Sequence, residues 1–450
     1  MSPEPTIAFD RHQADAYTDH LAALNESNPV LASEDIYNQF GVLLITKGTP
    51  LSPGKVKVLN QHRLEKTIEQ QVEISRTLSD RELYDLAIAY LEERTDYLEI
   101  HNENDYGSAF AQFFLHTPLP PVIRQKLTVM RERLPSEFIH LLFSAWGCGL
   151  IAKEMKLSQA KQYNAFLCGL CHDLGILHLQ PELLDFSTGV TPEKLRTMQS
   201  HVVIGKLIVE ELGLWEPEIA QGILEHHERL DQSGYPTRKP ADKMGIMGQI
   251  VAGADLIHHL STTALEGKEA ALKSCLPHFK IHYEAFKPEV CSAVFHILSR
   301  TKRHPQAGGE TSAQLLQRIQ GTQQVLQSLA AALPELLAQE ADFIDQPGGT
   351  GIKKVSRAIL DALRRSGLGE EVLALWLQES SSSPDPDPEL LQELEEADAM
   401  QYELLWLFKR LGWCIELLQQ QGQALPELAS LLALKQSIDT SLKERWVHYH

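Results

Sequence analysis

The stretch His226-His227-Glu228-Arg229-Leu230-Asp231-Gln232-Ser233-Gly234-Tyr235-Pro236 sets two adjacent imidazoles ahead of a short polar turn. Working outward, donors of the same kind recur at apolar segments. His140 lies in Phe138-Ile-His-Leu-Leu-Phe143, and His172-Asp173 follows Ala165-Phe-Leu-Cys-Gly-Leu-Cys171. His201 sits in Met198-Gln-Ser-His-Val-Val-Ile-Gly205, and Asp255 ends Ile250-Val-Ala-Gly-Ala-Asp255. From about residue 79 the apolar residues follow the helical period rather than strand alternation, beginning with the run that Ser79 caps. The fold class expected is therefore mainly α, with five histidines and two aspartates within or at the ends of its helices.

Neutral imidazole and carboxylate are donors for Fe, Mn, Zn and similar divalent ions. Neighbouring residues on a helix diverge by about 100°. A His-Asp or His-His pair is thus better placed to serve two nearby ions than to chelate one. Two ions about 3.5–4 Å apart hold a hydroxide and a phosphoryl oxygen together, the arrangement that hydrolyses phosphate esters.

The rest of the chain supplies context. The sequence has 450 residues, with 41 Lys+Arg against 60 Asp+Glu and a formal net charge of −19. That balance argues against a general binder of nucleic-acid polymers and against docking on an anionic membrane. It leaves a small anionic substrate open, because a local site can oppose the global field. The six cysteines are irregularly spaced and form no disulfide framework. Met1-Ser-Pro-Glu-Pro-Thr has neither a basic n-region nor an apolar h-region, and no apolar run approaches a membrane span. A cytoplasmic location is expected.

Four regions are expected. Residues 1–30 read as a mobile lead-in. Residues 31–78 read as a small α/β unit, with a strand at Val42–Ile45 and a helix opened by Ser52-Pro53. Residues 79–300 read as the helical metal domain, with its core at 120–265. Residues 301–450 read as a helical C-terminal region interrupted by an exposed linker at 379–388, which contains Ser380-Ser-Ser-Ser-Pro-Asp-Pro-Asp-Pro388. Trp406 and Trp413 share a face of that region, which serves either as intramolecular core or as a surface for a protein partner or dimer.

The ordered pieces His172-Asp173-Leu-Gly175, His201 with Gly205, and the string from His226 to Pro236 resemble the HD-GYP family of the HD phosphohydrolase superfamily. His140 and Asp255 fall in matching places, so the resemblance covers about residues 120–265. It implies a helical bundle carrying a two-metal site and hydrolysis of cyclic di-GMP, a bacterial second messenger. The ligands it implies are His140, His172, Asp173, His201, His226, His227 and Asp255. His172 and Asp173 would be the catalytic pair, Asp173 would bridge both ions, and two Fe, Mn or similar ions would be the cofactors. Gly234, Tyr235 and Pro236 would shape the site, with Arg229 and Asp231 on the same loop.

This chain departs from the family pattern at four places. Ile176 stands where the family has Lys after His-Asp-x-Gly, and Gln249 stands where it has Arg. Gln232 replaces a usual Gly, and Leu256–Ala264 lacks the usual Arg-Pro-Tyr stretch. The ligand set is intact while the groups that read phosphate are depleted, so metal binding follows more directly than turnover. Two alternatives stay open: a catalytically weak or inactive metal- and nucleotide-binding signalling module, and a phosphohydrolase for another nucleotide. The Glu that supports a third metal in some members is Ser136 here, with Glu137 one residue away, so two ions are expected.

Other motifs have plainer readings. Cys168-Gly-Leu-Cys171-His172 matches the haem c attachment pattern but lies in an apolar helix without an export signal, and reads as core. His258-His259 has no third partner at recognisable spacing and reads as surface or satisfied core. Gly348-Gly-Thr-Gly-Ile-Lys-Lys354 lacks phosphate-loop spacing.

Overall fold

The apolar segments that carry the histidines do form helices, and prolines and small polar caps set their starts. In the computed structural model the described residues are 9–103, 105–116, 118–184, 191–262, 272–300, 312–338, 349–368, 376, 388–420 and 428–446. They are mainly α, with two small two-stranded antiparallel sheets. By contact they divide into two compact units. The first holds the described residues up to Glu228 together with Tyr235–His258, and the second holds Arg229–Gly234 together with those from His259 onward.

In the first unit, α1 (Ala16–Leu24) is capped by Asp15, whose carboxylate accepts from the Tyr17 N–H. Tyr17, Leu21 and Leu24 are buried on it. Within the expected mobile lead-in, residues 16–24 thus form a helix facing a core, with too few apolar residues to show a period, while residues 1–8 lie outside the described residues. Strand β1 (Val30–Ala32) pairs with β4 (Val72–Ile74) in the register Val30↔Ile74, Leu31↔Glu73 and Ala32↔Val72. Strand β2 (Ile36–Tyr37) pairs with β3 (Leu43–Ile45). Helices α2 (Pro53–Leu59) and α3 (Ile68–Gln71) lie between β3 and β4. Pro53 opens α2 as read from sequence, although the Ser52 side chain makes no capping bond.

Helices α4 (Asp80–Glu92), α5 (Thr95–Glu103), α6 (Gly107–Leu115) and α7 (Pro121–Arg133) lead to the central pair, α8 (Pro135–Glu154) and α9 (Gln159–Cys171). Ser79 and Glu82 close a capping box on α4. α8 is buried almost all round from Phe138 to Ala152, which removes the one-faced periodicity expected of a surface helix. It packs along α9, where a Cβ on Gly169 would lie 2.4 Å from the Ser144 carbonyl oxygen. After α9 a 3-10 turn (Leu174–His178) leads to α10 (Pro181–Leu184), α11 (Pro192–Gln199), α12 (His201–Leu212), α13 (Pro217–Glu225) and α14 (Ile246–Thr262). Cys168 and Cys171 are buried free thiols, and the Cys168 thiol donates to the Ile219 carbonyl at 3.6 Å.

The second unit contains α15 (Leu276–Ile281), α16 (Pro288–Ser299), α17 (Ser312–Ala331), α18 (Leu333–Ala338), α19 (Gly349–Ser366), α20 (Pro388–Gln420) and α21 (Leu428–Trp446). Its core joins Leu326, Leu329, Ile352, Ile359, Leu404, Phe408, Ile415 and Ile438, so the Leu-rich tail serves its own interior. Trp406 and Trp413 meet edge to face at 5.3 Å. Residues 349–354 of the glycine-rich stretch belong to α19. Residues 379–387 of the expected linker lie outside the described residues. The contact boundary at 258/259 differs from the expected division at 300/301, since residues 272–300 belong to the second unit.

The loop Arg229–Gly234 is held inside this second unit. Lys354 Nζ donates to Gln232 Oε1 at 2.9 Å, an Arg410 guanidinium N–H donates to the Ser233 carbonyl at 3.2 Å, and the Leu230 N–H donates to the Ala285 carbonyl at 3.0 Å. Gln232 has φ +59, the left-handed region where glycine is at ease. Gln232 thus holds a backbone that glycine adopts without strain, in keeping with the glycine that the resemblance leads one to expect here.

Candidate metal centre

The first unit brings all seven expected ligands together as two groups of facing donors, Asp173 with His201, His226 and His227, and His140 with His172 and Asp255. Each ligand sits where a helix begins or ends, or on a buried helix face. His172 is the C-cap of α9, His226 the C-cap of α13, and His201 the first residue of α12. His140 lies on α8 and Asp255 on α14. The glycine of His172-Asp173-Leu-Gly175 has a steric purpose: a Cβ there would stand 2.1 Å from the His201 carbonyl oxygen. Only glycine lets the 3-10 turn and the start of α12 approach this closely, and that approach sets Asp173 beside His201.

Asp173 stands between the groups. Its Oδ1 lies 3.2 Å from His201 Nε2 and 3.6 Å from His226 Nε2. Its Oδ2 lies 3.4 Å from His172 Nε2 and 3.7 Å from His140 Nε2. Asp255 Oδ1 is 3.3 Å from His140 Nε2. His227 stacks on the Tyr235 ring at 4.6 Å, and the Tyr235 N–H donates to the His227 carbonyl at 3.1 Å.

Three of the histidines are oriented alike. The Nδ1 positions of His172, His201 and His226 meet the carbonyl oxygens of Gly169, Met198 and Ile223 at 2.9, 2.5 and 2.7 Å. Each ring leans on the backbone three residues earlier, so Nδ1 carries the hydrogen and Nε2 is left as a lone-pair donor.

The charge states agree with a cation site. Burial would push Asp173 and Asp255 up, but surrounding imidazoles hold both well below the usual carboxylate range. Burial holds His172 down to about 4 and lowers His201, so both stay neutral. At His140 burial also pushes downward, but Asp255, Asp173 and Glu137 carry the ring up to about 9. The carboxylates thus draw positive charge toward this spot.

The residues fit a pair of divalent ions. Asp173 Oδ1 is buried and receives no hydrogen bond. The Nε2 atoms of His140 and His172 face each other at 3.0 Å, and those of His201 and His226 at 3.4 Å. Two imidazole nitrogens bound to one ion at about 2.1 Å, at right to tetrahedral angles, lie about 3.0–3.4 Å apart.

The loop residues separate. Tyr235 joins the site through His227, whereas Arg229 lies over the Phe286 ring at 5.1 Å and Asp231 accepts from the Ser233 N–H at 2.8 Å. Neither residue is in a ligand group, nor are Gly234 and Pro236. Ile176 is half-buried in the 3-10 turn. Gln249 is buried and donates to the Glu228 carbonyl at 3.3 Å.

Sequence reading passed over one support and noted another only as lying one residue off the family position. The Glu228 carboxylate, fully buried, accepts from Thr237 and from the Lys239 N–H, and so anchors the chain after the turn. Glu137, three residues before His140, is raised by burial and by Asp173. Its spacing was the available signal, one residue off the family position.

Residues 124–283 match the HD domain family. Over 112 residues the chain is 30% identical to 3'3'-cGAMP-specific phosphodiesterase 3 of Vibrio cholerae, covering 25% of this chain and 24% of that protein. Over 111 residues it is 33% identical to a cyclic di-GMP phosphodiesterase of Thermotoga maritima, covering 24% and 30%. The chain thus spans about a quarter to a third of the length of these curated relatives. A solved cyclic GMP-AMP specific phosphodiesterase of V. cholerae overlaps 72% of this chain and 97% of its own, at 12% identity and a TM-score of 0.32.

The matched segment is an HD domain, the class of helical phosphohydrolase domain built on a His-Asp pair. Its ordered donors, its His-His-Glu to Gly-Tyr-Pro string and the relatives above support HD-GYP membership for this segment. No helix among the described residues is long and apolar enough to cross a membrane.

Proposed function

We propose that this chain is a metal-dependent phosphodiesterase that hydrolyses cyclic di-GMP with two divalent ions, in cytoplasmic second-messenger signalling. The observation that carries the reading is the placement of Asp173, one oxygen toward His201 and His226 and the other toward His140 and His172. His140, His172 and Asp255 would hold one ion, and His201, His226 and His227 the other, with Asp173 shared. Bound there, the ions would lower the pKa of a water and neutralise charge on the phosphodiester. The chain's own share is to present the His172 and His201 lone pairs, keep both carboxylates ionised, and hold His227 against Tyr235.

The relatives named above are phosphodiesterases of cyclic dinucleotides, which supports the substrate class. The test is bound metal and turnover of cyclic di-GMP with Mn²⁺ or Fe²⁺, measured beside a His172→Ala/Asp173→Ala variant. Two ions per chain, with turnover lost in the variant, uphold the reading, and a chain that binds no metal sinks it. A second reading, a signalling module that binds metal and nucleotide without turnover, is favoured by Ile176 and Gln249 in place of basic groups. Metal without turnover selects it, and 3'3'-cGAMP in the same assay tests the reading as a phosphohydrolase of another nucleotide. Ile176→Lys raises the rate if the absent charge limits it.

A further inference from the structure

Of the histidines in the two ligand groups, His140 differs from His172, His201 and His226 in what stands behind its ring. Those three lean on a backbone carbonyl, whereas His140 Nδ1 meets the side chain of His258, Nδ1 to Nδ1, at 2.8 Å. His258 lies one turn beyond Asp255 on α14, so the helix that delivers Asp255 also delivers the support of His140. The His258 ring is packed between His140, with centroids at 4.5 Å, and Phe143, at 4.9 Å. The approach of the two helices is set nearby: a Cβ on Gly147 would lie 3.1 Å from the Ala254 Cβ. A larger residue at either place would move α14 and the His258 ring away from α8.

We propose that His258 is a positioning residue that fixes the tautomer and ring angle of His140 for metal binding. The inference rests on the two-metal reading above. A neutral imidazole carries one ring hydrogen. For an ion to take His140 Nε2 as a lone pair, the ring must release the proton that the carboxylates favour there, and the hydrogen that remains must be on Nδ1. His140 Nδ1–H then donates to His258 Nδ1, and the hydrogen of His258 is on Nε2. The support is a side chain, so a single substitution removes it, which is impossible for the carbonyls behind the other three rings. The two ion positions are therefore unequal: the one formed by His140, His172 and Asp255 depends on residue 258, and the one formed by His201, His226 and His227 does not.

The test is a Mn²⁺ titration of the full chain, counting sites and affinities, for the unaltered protein, His258→Phe and His258→Asn. Phe keeps the ring against Phe143 and removes the acceptor. Asn restores an acceptor where Nδ1 was. The expected result is two sites in the unaltered chain, one of them weakened about 10- to 100-fold in His258→Phe. In His258→Asn that site recovers most of its affinity, and the other site is unchanged throughout. Two sites of unaltered affinity in His258→Phe overturn the inference while leaving the metal reading standing. An unaltered chain without Mn²⁺ sites overturns both. Nitrogen NMR of the unaltered chain with Zn²⁺ gives a check that needs no variant: His140 must carry its hydrogen on Nδ1, and the opposite tautomer refutes the role of His258.

Discussion

Two buried polar clusters flank the same 3-10 turn, and they balance their charge in opposite ways. At the end of the turn, His178 Nδ1 donates to Asp15 at 2.7 Å, and His178 Nε2 meets Lys126 Nζ at 2.9 Å. Lys126 lies 3.5 Å from Glu69, Arg11 donates to Glu69 at 2.6 Å, and the ammonium sits 3.8 Å over the Tyr17 ring. Glu69 here has two cations supplied by the chain, Lys126 and Arg11. At the start of the turn, Asp173 and Asp255 are held chiefly by imidazoles, with no lysine or arginine among their strongest partners. A buried cluster that joins histidine and carboxylates is therefore not by itself a metal site. The difference lies in whether the chain brings its own cation.

The largest break in this contrast is Asp173→Ala. It removes the oxygen donors shared by both ligand groups, and metal content falls from two ions toward none with turnover at background, read by metal analysis and product assay. Glu69→Gln is next. It strands Lys126 in the interior, and breaking a buried pair from one side costs about 3–5 kcal/mol. Denaturant melts would show that loss with metal content unchanged, and a fall in metal content would show the two clusters to be coupled. Chelation is third. For an ion held at about a hundred times its Kd, removal costs about 2.7 kcal/mol per site. A chelator should lower the melting temperature of the Glu69→Gln variant by as much as that of the unaltered chain, since the two effects are separate.

The smallest effect is graded by pH. Burial would raise Glu69, but Lys126, His178 and Arg11 bring it down to about 2 from an ordinary 4.5. A carboxylate depressed in the folded state contributes stability that is fully present above its unfolded value. That contribution fades as pH falls from about 4.5 toward about 2. In metal-free protein, Glu69→Gln should flatten the stability profile in this window and not between pH 6 and 8. An unchanged acid slope would show that Glu69 is not specially held.

Sequence made the second cluster legible and the first invisible. His172-Asp173, His201, His226-His227 and Asp255 are close along helices or stand in a known order. Their steric support, Gly175 against His201, was legible only as part of a pattern. Lys126, Glu69, His178 and Asp15 come from four separate elements and form no string, so nothing in one dimension joins them. His258 was visible, three residues from Asp255, but its partner is on α8 and only packing brings them together. α1 was missed because nine residues give a helical period too little length to register. The place of residues 272–300 was missed because period reports which face is buried and not which core buries it.

The loop at 229–234 has a consequence for inheritance. It sits inside the matched segment 124–283, yet Lys354 and Arg410, which hold it, lie beyond that segment. A lineage that exchanged its C-terminal helices would leave Gln232 in a left-handed backbone without the bond from Lys354. Glycine would then be the residue at ease there. Among descendants of this chain, a side-chain amide at 232 and a lysine at 354 should therefore be kept or lost together.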